Sequence, residues 1–163
     1  MKPSIIRPGV LSVRYPFESV IPVISPFGVE RNLFINGQVV KRTHRGIDFA
    51  CPKETHIKAI AGGRAKEVGF ENPQNEDHGF GYRIWQESEI DGKKLWIAYA
   101  HLRWSMVGKD FTIDEGEYIA LSGNTGAVEK HPEKGLFGYH LHLEAREANT
   151  RDYYNLEFYG VPT

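Results

Sequence analysis

The sequence predicts an all-β protein, mainly antiparallel and with little helix, and two observations carry this prediction. The 163 residues include 17 glycines and 9 prolines, which fall at short intervals between runs in which apolar and polar residues alternate. Runs of this kind, bounded by turn-forming residues, are typical of β-strands. Helical patterns, by contrast, are scarce along the chain.

The elements can be assigned in chain order from these patterns. Residues 1–25 are expected to form an arm or an edge strand that packs on the same domain. Alternation then predicts strands at residues 57–60, 64–70, 82–87, 95–102, 118–121 and 139–146. The one helix candidate is short and lies near residues 150–154, where NTRDYYNL could begin a turn or two. Loops are predicted for the pattern-poor stretches at residues 29–43, 71–79 and 128–138.

Composition narrows the class of protein. Hydrophobic residues make up 40% and charged residues 25% of the chain, close to the average for soluble domains, so neither a disordered chain nor a membrane protein is expected. The net charge is -1, and without a basic stripe we expect no nucleic-acid partner. The N-terminal prolines and Arg14 interrupt any apolar run, so neither a secretory signal nor a membrane span is expected.

The single cysteine, Cys51, excludes an internal disulfide within one chain. It stands in the sequence DFACP, where a small buried side chain is a more ordinary interpretation than a reactive thiol. The fold must therefore depend on its hydrophobic core or on a metal.

The heptapeptide GYHLHLE, residues 138–144, is the first sign of chemistry. If it is a strand, His140 and His142 lie on the same face of the sheet, about 6–7 Å apart at the backbone. A strand with one solvent-exposed face would also show this alternation of polar and apolar residues. However, imidazole is the commonest metal ligand in proteins, so the pair also suggests a site.

Further candidate residues occur in two other segments. THRGIDFACP carries His44 and Asp48, whose intervening glycine favours a loop leading into a strand. WIAYAHLRW places His101 at the end of an apolar strand. Each piece alone has an ordinary explanation: a local hydrogen bond for His44 with Asp48, and solvent exposure for His101. No role is assigned to the remaining histidines, His56, His78 and His131.

Zinc chemistry accounts for the whole set. A catalytic zinc takes three protein ligands from His, Asp or Glu, and leaves a fourth position for a water whose pKa falls to about 7. The segments described above offer imidazoles and a carboxylate for such a metal, together with additional histidines for acid–base work.

The motifs taken together resemble a known family. HRGIDFA, the GG of AIAGGRA, GFGYRIW, YAHL, EGEYIALSGNTG and HLHLE occur in the order, and at roughly the spacings, of the lysostaphin/LytM-type zinc endopeptidases of bacterial cell walls. The resemblance runs from about Phe27 to Glu144. The combination of His-x-x-x-Asp with a later His-x-His is far more specific than either motif alone.

The resemblance implies a site. His44, Asp48 and His142 would be the zinc ligands, with one Zn²⁺ per chain. His101 and His140 would be the catalytic residues beside the open coordination position; one of them would act as general acid–base and the other would steady the oxyanion, and the sequence leaves open which does which.

The resemblance also implies an architecture and a function. We expect a sheet shaped like a β-sandwich or an open barrel with a groove, within a single domain of residues 1–163. In that domain, residues 1–25 would be the arm or edge strand, 27–146 the catalytic core and 147–163 a C-terminal tail. The expected activity is zinc-dependent hydrolysis of peptide cross-links in peptidoglycan by a monomer.

One residue of the family pattern is absent. Members often carry a tyrosine a few residues before the first ligand, whereas NGQVVKRTH contains none and the nearest upstream aromatic residue is Phe34. A second imidazole could replace that tyrosine. The expected absence of a signal favours a phage-type lysin, made in the cytoplasm and either released by phage lysis or carried in the virion, that acts at the cell wall.

Three alternatives stay open. A non-catalytic domain of the same fold would bind metal or a partner, but such domains have usually lost a ligand. A sugar-phosphotransferase carrier domain would use two histidines without needing the His44 segment or Asp48, and stoichiometric zinc would exclude it. A structural zinc module would need a closed site with four ligands. The bond that is cut, in a glycine-rich bridge or in a D-amino-acid stem cross-link, is also open.

Overall fold

The computed structural model describes residues 6–150 and 152–163, without the side chains of residues 6–8 and 33–35. The described residues form β-strands and one 3₁₀ turn, and they contain no α-helix, which confirms the all-β prediction. The strands are β1 (Ile6–Arg14), β2 (Val23–Ser25), β3 (Glu30–Ile35), β4 (Gln38–Thr43), β5 (Ile47–Phe49), β6 (His56–Lys58), β7 (Gly63–Phe70), β8 (Tyr82–Ile90), β9 (Lys93–Ser105), β10 (Thr112–Ile113), β11 (Tyr118–Ser122), β12 (Leu141–Glu147) and β13 (Tyr153–Tyr159), and the 3₁₀ turn is Pro132–Lys134.

One large sheet organises the molecule, with the strand order β1-β13-β12-β9-β8-β7-β10. Its strand pairs are antiparallel except for β1 with β13, which is parallel. The residues expected as a C-terminal tail thus include β13, which lies inside the sheet between β1 and β12. Separately, β3 and β4 form a two-stranded hairpin.

Strand β12 holds the centre of the fold because it pairs on both sides. Along most of its length it pairs with β9. On its other side, its first residues pair with β5, and Ala145 and Arg146 pair with β13. The sheet is therefore forced to branch and curl at β12, and the residues that start this strand face β5 directly.

The hydrophobic core fixes β5 in place. Phe49 is 1% exposed, and its ring packs edge-to-face against Phe17 at 5.1 Å between centroids and against Tyr15 at 6.1 Å. Such pairs contribute about 1 kcal/mol each beyond the burial of their area. Since Phe49 directly follows Asp48, this aromatic cluster anchors the strand that presents the carboxylate.

The predicted strands are found, with ends shifted by a few residues, and residues 71–79 form turns without a strand as expected. Residues 128–138, also expected as a loop, are largely irregular but include the 3₁₀ turn. The loop predicted at residues 29–43 is wrong, because β3 and β4 occupy most of it. Asn36 and Gly37 connect them with positive φ angles of 51° and 77°, as type I′ hairpin turns require. The Asn-Gly pair is the signal from which the hairpin could have been predicted.

The helix predicted at residues 150–154 is also wrong in the described part of that range. Thr150 lies in a turn, and Tyr153 and Tyr154 begin β13, whereas residue 151 lies outside the described residues. Tyrosine suits a half-buried pleated surface, and pairing with two neighbouring strands outweighs the local capping pattern.

Cys51 is buried, with 1% of its surface exposed, and burial raises the pKa of its thiol. An inert packing role follows, so Cys51→Ala is expected to leave catalysis almost unchanged. The variant should lose on the order of 1 kcal/mol of unfolding free energy, because a small cavity replaces the sulfur. Chemical denaturation and a hydrolysis assay on the same preparation check both expectations. A large loss of activity with an intact fold would contradict this interpretation.

Within the described residues, no helix is long and apolar enough to cross a membrane.

Candidate metal centre and active site

His44, Asp48 and His142 form a compact buried group. Each offers one possible ligand atom, and these atoms lie within 4.8 Å of one another. Asp48 and His142 are direct partners across the β5–β12 ladder, and His44 precedes β5 by a short turn. The sheet thus brings together residues that are almost a hundred positions apart in sequence.

Hydrogen bonds orient both imidazoles of this group. The carbonyl of Pro26 can only accept, so at 3.1 Å it selects the His44 tautomer with a proton on Nδ1. Glu144 Oε1 lies 2.8 Å from Nε2 of His142 and binds the proton on that nitrogen. His44 Nε2 and His142 Nδ1 are left facing each other at 3.3 Å. In the neutral form of His142 with its proton on Nε2, both of these nitrogens carry lone pairs, which point to one place.

The carboxylate of Asp48 completes the set. Its Oδ1 lies 2.8 Å from His142 Nδ1 and 3.3 Å from His44 Nε2. Two imidazole nitrogens and one carboxylate oxygen are the donor set of many catalytic zinc sites with an open position. A carboxylate on the far side of a ligating histidine, as supplied by Glu144, is the usual outer partner of such a ligand. The residues present therefore fit a zinc ion.

The electrostatics of the group favour a cation. Burial disfavours the ionised carboxylate of Asp48, but hydrogen bonds with His142 and His44 outweigh it and hold its pKa well below the usual range. Burial also disfavours charged His142, yet the protonated ring donates from Nδ1 to Asp48 and from Nε2 to Glu144, and these bonds raise the pKa of this imidazole to about 9. Positive charge is thus stabilised between these carboxylates.

Arg31 contacts the same group from the β3 strand. Its Nη2 lies 2.7 Å from Asp48 Oδ2 and 3.1 Å from His44 Nε2, and it also donates to Ser25 Oγ. The two oxygens of Asp48 therefore have different partners: Oδ1 faces the imidazoles, and Oδ2 faces the guanidinium. This division fixes the rotation of the carboxylate.

Gly46 is required at the site for reasons of space. A Cβ at this position would lie 2.5 Å from the carbonyl oxygen of Leu143 and 2.8 Å from Cε1 of His142. Gly46→Ala is therefore expected to push the His142 ring out of place and to weaken zinc binding by on the order of tenfold or more. Competition with a metal indicator measures the affinity.

Gly62→Ala is the matched control for this variant. The nearest neighbour of a Cβ at position 62 is the carbonyl oxygen of Ile113 at 3.5 Å, an ordinary contact. Unchanged zinc affinity in Gly46→Ala would mean that metal binding tolerates a displaced His142 ring.

His101 and His140 form a second pair, next to the first group. Their ring centroids are 4.7 Å apart, and the ring of His101 is 6.2 Å from that of His142. Each donates its Nδ1 proton to a backbone carbonyl, at 2.7 Å to Thr125 for His101 and at 2.9 Å to Gly138 for His140. Each Nε2 therefore carries a lone pair that can accept a proton.

A backbone irregularity directs His101 towards this pair. Its φ angle is +62° within β9, and the register of β8 with β9 shifts between Tyr82 and Ile84. Bulges that re-aim one side chain are frequent beside active sites. Burial lowers the pKa of His101 to about 4, the charge of His140 adds to this, and the bond to Thr125 opposes it. The imidazole of His101 is therefore neutral near pH 7, with its Nε2 lone pair free to accept a proton.

The structure thus brings all five predicted site residues together. The remaining histidines lie elsewhere: His131 contacts Glu129, His78 contacts Glu71, and the ring of His56 packs edge-to-face against that of Tyr118. His56 also lines a separate cavity of about 620 Å³ that contains none of the five site residues. The side chain of Phe34, the nearest upstream aromatic residue, lies outside the described part of the chain.

Sequence reasoning missed Arg31 and Glu144. Glu144 could have been found, since it lies two residues after His142 and therefore on the same face of the strand. Arg31 gave no comparable signal, because it lies in the segment that the sequence predicts to be a loop. Phe80 was also missed; its ring is 5.3 Å from that of His142 and 6.3 Å from that of His101, so it walls the space beside both imidazoles.

The chain is similar to known proteins. The family model described as Peptidase family M23 matches residues 42–154. An uncharacterized metalloprotease of Haemophilus influenzae is 32% identical over 83% of this chain and 26% of its own length. The peptidoglycan DD-endopeptidase ShyA of Vibrio cholerae is 30% identical over 80% of this chain and 26% of its own length. The chain thus spans about a quarter of these curated relatives.

Solved structures resemble the fold as well. The catalytic domain of the antimicrobial peptidase lysostaphin from Staphylococcus simulans aligns with a TM-score of 0.62 and 26% identity, over 83% of this chain and 88% of that one. A zinc-containing peptidase from Vibrio cholerae aligns with a TM-score of 0.65 and 25% identity, over 91% of this chain and 40% of that one. From the buried donor group, the neighbouring histidine pair and the family match over residues 42–154, we conclude that the chain belongs to peptidase family M23, whose members are zinc-dependent metallopeptidases.

Proposed function

We propose that this protein is a zinc-dependent endopeptidase that hydrolyses peptide cross-links of bacterial peptidoglycan. The observation that carries the proposal is the adjacency of a three-residue donor group to two imidazoles with free Nε2 atoms. A structural metal site would need a fourth protein ligand, and the described residues place only three in the group. The name of the Vibrio cholerae relative supports peptidoglycan as the substrate.

In this proposal His44 Nε2, His142 Nδ1 and Asp48 Oδ1 hold the zinc. When bound there, the metal supplies Lewis-acid polarisation of the scissile carbonyl and lowers the pKa of the attacking water. Glu144 keeps the His142 ring oriented, and Arg31 keeps Asp48 from rotating. These outer contacts matter because catalytic groups must be held to within about half an ångström.

His101 and His140 move the protons. One Nε2 accepts the proton that the attacking water loses and returns it to the leaving amine. The other, when its Nε2 is also protonated, donates a hydrogen bond from that nitrogen to the oxygen that gains negative charge in the transition state. The backbone carbonyls of Thr125 and Gly138 engage Nδ1 of the two rings, so Nε2 of each ring is left for proton transfer.

Digestion of purified sacculi tests the function. Sacculi with glycine-rich bridges and sacculi with direct stem cross-links are incubated separately with the protein, and the fragments are identified by mass spectrometry. We expect cleavage of peptide bonds and no cleavage of glycan, abolished by a chelator and restored by added zinc. Intact cross-links in both kinds of sacculi, with a zinc-loaded and folded protein, would overturn the proposal.

We also propose, as the sequence predicts, that residues 27–146 are the catalytic core of a single domain. Release by phage lysis stays a prediction. Expressing the chain inside a bacterium with and without an added export signal, and following turbidity, checks it: lysis without a signal or a permeabilising agent would contradict it.

A further inference from the structure

A pocket of about 390 Å³ opens directly beside the donor group, and His44 and His142 form part of its wall. What distinguishes this pocket is its charge. Its lining includes four arginines, Arg31, Arg42, Arg45 and Arg146, against the single acidic residue Glu144. The chain as a whole has a net charge of -1, so this local excess of positive charge does not reflect the composition.

Three of these arginines have no anionic partner within the described part of the chain. Arg31 pairs with Asp48. The guanidinium groups of Arg42, Arg45 and Arg146, in contrast, form no hydrogen bond or ion pair among the described residues, and Nε of Arg146 is both buried and without a hydrogen-bond partner. A buried donor left unpaired costs about 1–3 kcal/mol. The pocket therefore contains guanidinium hydrogen-bond donors that no described residue accepts from and that a bound anion could use.

Aromatic rings hold two of the unpaired guanidinium groups. The guanidinium of Arg146 lies over the ring of Trp85 at 4.9 Å, and that of Arg45 lies over the ring of Tyr153 at 5.1 Å. Stacking on a ring face restrains a guanidinium without consuming its hydrogen-bond donors. Both groups thus remain ready to form the bidentate bonds that arginine makes with a carboxylate.

Glu144 does not neutralise the pocket. Its Oε1 accepts the proton of His142 Nε2 at 2.8 Å, and it is 5% exposed. Its charge is therefore committed to the donor group. An incoming anion would meet the arginines with little competition from this side chain.

We propose that this pocket binds a carboxylate of the substrate peptide next to the scissile bond. The protein would therefore select a cross-link in the acidic stem peptides over an uncharged glycine bridge. This inference rests on the proposed function, because it assigns part of the same substrate to the wall of the same site. Arg45 and Arg146 are the specificity-determining residues, with Arg42 at the exposed rim.

A binding experiment tests the pocket separately from hydrolysis. The protein used is the zinc-loaded His140→Ala variant, in which we expect turnover to be slow. The probes carry the same fluorescent label and are a stem-peptide fragment with free carboxylates, the same fragment with carboxamides in their place, and pentaglycine amide, which has no carboxylate. By fluorescence anisotropy we expect the carboxylate peptide to bind roughly tenfold or more tightly than its carboxamide analogue, since hydrogen bonds to charged groups are the stronger ones.

Substitutions then locate the effect. Adding Arg45→Gln or Arg146→Gln should reduce the ratio of the two Kd values towards one, whereas the control Arg64→Gln, on β7 and outside this pocket, should leave the ratio unchanged. Equal Kd values for the two peptides without these substitutions, or equal weakening of both peptides by Arg146→Gln, would overturn the inference.

The two proposals fail in different ways. Preferential binding of the carboxylate peptide, without cleavage of any cross-link by the unsubstituted protein, would support the pocket and overturn the peptidase activity. Cleavage of carboxylate and carboxamide peptides with the same kcat/KM would support the peptidase activity and overturn the carboxylate pocket.

Discussion

Replacing His142 with alanine is expected to remove most of the zinc from the protein and to abolish hydrolysis. His142 supplies one of three donor atoms, and with only two donors left the zinc affinity is too low for the metal to stay bound during purification. The purified protein should contain about one zinc per chain, and the variant about a tenth of that or less. Metal analysis by mass spectrometry gives the content directly.

The fold should survive this substitution. Asp48 keeps Arg31 as a partner at 2.7 Å, so the buried carboxylate is not left alone. Circular dichroism and a thermal melt check that the variant is folded. His56→Ala is the matched control, because it removes a histidine from a cavity away from the site. Full zinc occupancy in folded His142→Ala would remove this residue from the ligand set.

Removing either member of the second pair should lower activity without removing the zinc. His101→Ala and His140→Ala are each expected to retain zinc, since neither belongs to the donor group. Each should lower the rate by about 10²–10⁴-fold, the range typical for a general acid–base or for an oxyanion donor. The measurements are kcat on a soluble peptide and metal content on the same sample.

The double variant sharpens this test. If the two imidazoles act in one proton-transfer unit, losing both should cost far less than the product of the single losses. A metal-free single variant, measured beside a fully loaded parent protein, would show that the division of the histidines into ligands and catalytic residues is wrong.

Local patterns in the sequence were sufficient for much of the fold. The alternation in residues 139–146 predicts a strand with His140 and His142 on one face, and β12 confirms the strand from Leu141 onward. Period two is a property of a single strand, so it can be read without knowing the partners. By the same reasoning the Asn36-Gly37 turn could have been predicted. The helix predicted at residues 150–154 is wrong because pairing with β1 and β12 determines the strand that begins in that segment.

The sequence by itself determined which residue types are available for a metal, because the spacing of His44 with Asp48 and of His140 with His142 is local. Only the tertiary structure decided what surrounds them. Arg31 reaches Asp48 through a hairpin, and β5 lies on β12 through a pairing that joins distant parts of the chain. Likewise, Arg45 and Arg146 line one pocket only because the sheet curls around β12. Long-range pairing depends on the summed burial of many side chains, and no short stretch of sequence records that sum.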